Sequence, residues 1–183
     1  MAVYTNSDLI TNSTSVPAVM NNVAQSGGRM RISTGSMTIA DSAFDADTNV
    51  LRCCQLPSNA VIHKMEFYCD DMDNGTDSAV DIGLYNTGDA SAPGTVIAVD
   101  CYADACEEFR AAIAPGAAKN FRYAGGANNA QLAITTAGDA LWQNAGLSED
   151  PGGLMELCLT QTATVSNDLA DNAFAFFVMY TVD

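Results

Sequence analysis

Cations are scarce in this chain: seven Lys and Arg stand against 22 Asp and Glu, a formal net charge of −15. The few that exist are scattered, so no basic stripe is available to neutralise a run of phosphates, and a nucleic-acid surface is excluded. An anionic membrane leaflet would repel the chain for the same reason. Histidine occurs once, at His63, and one histidine cannot supply a multi-histidine metal shell. No apolar run approaches the length of a membrane-spanning helix. The opening MAVYTNSDLITNSTSVPAV has neither the basic start nor the apolar centre of a secretion signal. Synthesis in a cytoplasm, with thiols initially reduced, is the expectation. No Walker lysine follows the glycine pairs, and no G-x-S-x-G elbow gives His63 a serine to activate.

What is present is the composition of a globular protein. Of 183 residues 48% are hydrophobic and 16% charged, which suits one domain with a sizeable core. Residues 1–28 are rich in Asn, Ser, Thr and Ala and end in QSGG, which reads as an extended arm on a flexible joint. Residues 29–183 form the body.

Period-two alternation dominates that body. RMRIST sets Met30 and Ile32 on one face and Arg29 and Arg31 on the other. VIHKMEFYC aligns Val61, His63, Met65, Phe67 and Cys69; AVDIGLYN aligns Val80, Ile82 and Leu84. LMELCLT aligns Met155, Leu157 and Leu159, and FAFFVMYTV aligns Phe174, Phe176, Val178, Tyr180 and Val182. Such alternation marks half-buried antiparallel strands. Helical spacing predicts a helix through YADACEEFRAAIAPG (Ala105, Phe109, Ala112, Ile113) and a second in ALWQNAG, capped by Asp139 and stopped at Gly146. The fold class is mainly β: an antiparallel, jelly-roll-like β-sandwich of roughly seven to nine strands with one or two short helices.

One stretch, RCCQLPSNAVIHKMEFYCDDMDNGTD, gathers the histidine, half of the six cysteines and a run of carboxylates. Cys53 and Cys54 are adjacent, so in a strand they point to opposite faces rather than to one zinc ion. Cys69, Cys101, Cys106 and Cys158 are widely separated and read as buried structural thiols, with disulfide pairing left open. His63 reads as a hydrogen-bonded core or interface residue; a cysteine hydrolase built on it is a remote alternative. Asp70, Asp71, Asp73 and Asp77 are weak calcium candidates. An EF-hand register begun at Asp71 fails, because Gly75 falls at position 5 and Ile82 at position 12. A solvated turn around Asn74-Gly75 is the simpler reading. No catalytic residue, cofactor or metal is expected.

In order, the segments GRMRISTGSMTIADSAFDADTNVLRCCQLPSNAVIHKMEFYCDD, SAVDIGLYNTGD, ALWQNAGLSEDPGG and FAFFVMYTVD resemble the head decoration, or cement, proteins of tailed bacteriophages. The resemblance spans Gly28 to Asp183. It implies a β-sandwich on the exterior of a virion capsid, a homotrimer that bridges neighbouring subunits of the major capsid protein, and no catalytic residues. An arm that orders along a neighbouring subunit would use Tyr4, Leu9, Ile10, Val16, Pro17 and Val19 as its apolar contacts. The alternative is a carbohydrate- or receptor-binding β-sandwich of a phage fibre or adhesin, with calcium in the acidic loop.

Overall fold

In the computed structural model, the described residues are 16–17, 19, 28–40, 43–73, 77–117, 120–122, 136–165 and 172–182. They form seven strands: β1 (Arg29–Ile39), β2 (Val50–Pro57), β3 (Val61–Cys69), β4 (Val80–Asn86), β5 (Val96–Cys106), β6 (Leu154–Gln161) and β7 (Asn172–Val182). One sheet has the order β1-β7-β3 and the other β2-β6-β4-β5. Every pairing is antiparallel. The two sheets are the layers of a mainly β sandwich, as the alternation predicts.

The core is built from the faces that the alternation selects. Phe174, Phe176, Val178 and Tyr180 of β7 meet Ile82 and Leu84 of β4 and Met155, Leu157 and Leu159 of β6 in one buried cluster. At one end of it the ring of Phe67 lies 5.2 Å from Phe121, 5.8 Å from Phe174 and 5.9 Å from Phe109. Offset and edge-on contacts of this kind add about 0.5–1.5 kcal/mol each beyond the area they bury.

Strands β4 and β6 are buried on their second face as well: Asp81, Tyr85, Glu156, Cys158 and Thr160 are all inaccessible. Over β4 the cover comes from β5, and over Glu156 of β6 it comes from Arg52, Gln55 and Gly88. Leu84 pairs with Ala98 and Ile82 with Ala103, so β5 carries surplus chain between the two rungs. That surplus arches over Gly83, where a Cβ would collide with the carbonyl oxygens of Ala98 and Val99. Beneath the arch the Asp81 carboxylate accepts the Ala105 N–H at 2.8 Å.

Three local expectations fail, each for a tertiary reason. The segment from Tyr102 is not a helix. It continues β5 to Cys106, burying Tyr102, Ala103 and Cys106, and only a 3-10 turn at Glu108–Arg110 follows. Phe109 is held by the aromatic cluster and Ile113 by backbone bonds to Cys69, so their helical spacing is incidental. The second helix exists as α1 (Leu141–Asn144), but its N-cap is Ala140 rather than Asp139, and the Gln143 side chain accepts the Ala140 N–H at 2.8 Å. Gly146 follows it with φ +73, the left-handed stop expected there. In β1 the apolar pair points the other way: Met30 and Ile32 are 61% and 57% exposed. Parity is set further along the strand, where Gly35 leaves room for the Phe176 ring (an added Cβ would sit 2.7 Å from it) and Ile39 enters the core.

Gly83→Ala forces the β5 arch off the sheet, and overpacking of this kind costs roughly 1–3 kcal/mol. The expected outcome is a lower urea midpoint with an unchanged slope; an unaltered midpoint would show that the arch yields freely.

Candidate functional site

Five of the six cysteines are withdrawn from chemistry by burial. All six are free thiols. Burial pushes Cys54, Cys101 and Cys158 up to about 12 and Cys69 up to about 11, and drives Cys53 well above its ordinary value. A thiol so raised carries almost no thiolate at neutral pH and is neither nucleophile nor ready metal ligand.

His63 occupies a bulge. The β3–β7 register shifts between Ile62 and Lys64, so Ile62 takes the inward place opposite Tyr180 and His63 is the extra residue. The alternating face therefore holds Ile62, Met65, Phe67 and Cys69 rather than His63. Its Nε2 lies 2.9 Å from the Thr181 hydroxyl. Its carbonyl accepts the Asn120 side-chain amide at 3.3 Å. Burial, with the Arg122 guanidinium second, holds the imidazole below its ordinary value.

The acidic loop spends its oxygens on the backbone. Asp70 Oδ2 accepts the Ala173 N–H at 2.9 Å, Asp71 Oδ1 the Asp73 N–H at 3.1 Å, and Asp73 Oδ2 the Ser78 N–H at 2.8 Å. Asp73 is 2% exposed, whereas Asp77 is exposed, and residues 74–76 between them lie outside the described set. Among the described residues no three His, Cys, Asp or Glu side chains converge on a metal position.

Sequence reasoning missed two polar nodes because each joins distant segments. On the second face of the four-stranded sheet, Arg52 grips Glu156 with two bonds, Nη2–Oε1 at 2.6 Å and Nε–Oε2 at 3.0 Å. Gln55 Nε2 and the Gly88 N–H add further bonds to Oε1. Burial pulls the Glu156 carboxyl up, but the bonds from Arg52, Gln55 and Gly88 outweigh it, and the carboxyl sits below its ordinary value. The other node is the fully buried Arg122. Its Nη2 donates to the Thr136 carbonyl at 2.7 Å, and its guanidinium lies 5.8 Å from the Tyr102 ring centroid. It pins the chain on both sides of residues 123–135 to β5.

What remains open to a partner is surface. On the outer face of the three-stranded sheet, exposed Met30 and Ile32 of β1 stand beside half-buried Phe177 and Met179 of β7. Farther along this side runs a groove of about 550 Å³ lined by Tyr68, Asp70, Ala112, Pro115, Ala173 and Ala175 among others. The sandwich has four strand edges, and three are blunted. β3 is covered by bonds from Ile113 to Cys69 and from Phe121 to Met65. β2 carries a bulge and ends in Pro57, and β5 shifts register three times. By contrast β1 pairs with β7 through eleven consecutive rungs without a bulge. Among the described residues no backbone hydrogen bond reaches its other side.

Of the arm contacts, Tyr4, Leu9 and Ile10 lie outside the described residues. Val16, Pro17 and Val19 are exposed, Val16 fully so at 99%.

No protein-family profile and no curated protein sequence matches this chain. Among solved structures, the chain is similar to one in the "Cyanophage Pam1 capsid asymmetric unit", with TM-score 0.47 and 16% identity, over 93% of this chain and 97% of that one. It is also similar to one in the "Capsid of Ralstonia phage GP4", with TM-score 0.44 and 14% identity, over 84% and 85%. At that distance neither assigns a role to any residue.

Two outcomes test this chemistry. Because His63 binds its proton more weakly folded than unfolded, its contribution is intact above pH ~6.5 and declines as pH falls below it. The urea midpoint therefore drops between pH ~7.5 and ~5.5, and His63→Gln flattens that slope. For Glu156 the sign is reversed: a depressed carboxyl stabilises above pH ~4.3 and loses that contribution as it protonates in acid. Arg52→Met costs roughly 1–3 kcal/mol at neutral pH, and differential melting shows the cost shrinking below pH ~4.

Proposed function

We propose that this chain is a non-enzymatic structural protein of a phage virion, a cement protein that lies on the outer surface of a capsid and bridges neighbouring major capsid subunits. The observation that carries the reading is the exposed side of the three-stranded sheet. Among the described residues, an eleven-residue edge without a bulge and an exposed apolar pair stand on a molecule in which burial raises five of the six thiols and the only histidine is bonded to a threonine. That is a binding surface without reactive machinery. The ordered motif resemblance from Gly28 to Asp183 supports the same class, and it implies three copies per assembly. Many such subunits on one shell add their modest contacts into avidity.

The carbohydrate- or receptor-binding reading needs exposed rings, and none of the described aromatic residues is exposed. It also needs calcium at Asp70, Asp71, Asp73 and Asp77, so a melting temperature that rises with calcium would favour it.

Quantitative mass spectrometry of purified particles tests the proposal. Copies in the hundreds per particle are expected, and a handful would point to a tail or fibre instead. Removing residues 1–26 is expected to leave the melting temperature unchanged and to lower occupancy on the shell. Full occupancy after truncation would discard the arm contacts while leaving the shell assignment standing.

A further inference from the structure

We propose that the groove on the outer side of the three-stranded sheet receives the arm segment from Val16 to Val19 of a neighbouring copy, so that copies of this chain exchange arms around a closed ring. The inference rests on the arm contacts of the shell reading and adds to them the surface that takes the arm.

The groove exists because the middle strand of the sheet becomes small there. Along the outer face of β7, Met179 and Phe177 give way to Ala175 and Ala173. Ala175 pairs with Ser36 of β1 and with Tyr68 of β3, and Ala173 pairs with Thr38, so two alanines form a floor between flanking strands. Residues 112–115 supply the further wall, tied to β3 by the two backbone bonds between Ile113 and Cys69. The space measures about 550 Å³, within the range that a small ligand or a few side chains fill. Its lining is mainly apolar, with hydroxyls of Ser36, Thr38 and Tyr68 on the walls. Such a trough suits a short extended segment with small apolar side chains.

The arm supplies that segment. Val16, Pro17, Ala18 and Val19 are all small and apolar, and the proline favours extended backbone at the residue before it. In the single chain Val16 is 99% exposed, and Pro17 and Val19 are exposed too, so the groove of the same copy does not hold them. Charge favours a second copy as the host. The run from Leu9 to Gly28 has no charged side chain and is the longest such run in a chain of net charge −15. It can therefore lie on another copy without setting carboxylate against carboxylate. Reach permits the crossing as well. Val19 stands ten residues before Arg29, up to about 33–36 Å of extended chain, whereas Ser36 is only about 24 Å along β1. Arm and groove are different surfaces, so the contact is heterologous and closes when the copies form a ring. Three copies satisfy it, in keeping with the trimer that the resemblance implies.

Sedimentation of the full chain and of the variants Ala112→Trp, which fills the groove, and Val16→Asp, which charges the arm, tests this. Both positions are exposed, so both variants are expected to keep the wild-type near-ultraviolet circular dichroism. The wild type is expected to sediment as a trimer, and each variant to associate about tenfold more weakly or worse. The double variant Val16→Cys/Ala112→Cys, reassembled from equal parts of isotopically light and heavy chains and treated with a short bis-maleimide, is expected to give a linked peptide that joins a light chain to a heavy one. A wild-type monomer, or a trimer that both substitutions leave intact, would overturn the proposal. So would a link confined to single chains, no link at all, or a link formed only on particles and to the major capsid protein. The copy number of the unaltered chain per particle is a separate measurement, so the groove can fail while the shell reading stands.

Discussion

The ring of Phe67 sits where four segments of chain meet. It projects inward from β3, stacks on Phe174 of β7, and receives Phe109 and Phe121 from the turns after β5. Phe109 and Phe121 stack on each other at 5.5 Å, so the cluster holds both turns together as well as to the sheet. The covered edge of β3 follows from this: once Phe121 is drawn into the core, its N–H lies 2.8 Å from the Met65 carbonyl. Without that anchor the segment would have no apolar reason to lie along β3.

The two sheets solve the problem of their outer faces differently. The four-stranded sheet turns its outer face into a second interior, roofed over β4 by the β5 arch and filled with polar side chains that bond one another. Tyr85 meets Thr160 at 2.7 Å, and Arg52 meets Glu156. Burying such groups is tolerable because each finds a partner. Among the described residues the three-stranded sheet receives no roof. Its outer face mixes an ion pair between Lys64 and Glu66 at 2.8 Å with small residues and the apolar strip. The described residues thus close one side of the sandwich and leave the other open.

How much of this the residues disclose depends on range. The inward faces of β4, β6 and β7 are legible because every second residue is apolar and turn residues bound each run. The second burial of β4 and β6 is also hinted at, since Tyr85 and Cys158 interrupt an otherwise polar alternation. In β1 the count of apolar residues favours the wrong face, because a glycine that admits a ring weighs more than two exposed side chains. β5 is misread because helical spacing and core-directed turns can place the same residues, Phe109 and Ile113, at the same intervals. Arg52 and Glu156 are 104 residues apart, and nothing local announces their pairing. The edges are the least legible of all, since which strands stand outermost is a property of topology alone.

In the ladder between β1 and β7, Arg29 lies opposite Val182. The first residue of one strand and the last of the other therefore leave the sheet side by side at one corner. Tension applied between those two points would peel the ladder open one rung at a time. Tension applied between one of them and the body of the molecule would instead load many rungs in shear together. The same eleven rungs are therefore a zipper in one direction and a rivet line in the other, and the direction of pull decides how firmly the molecule holds.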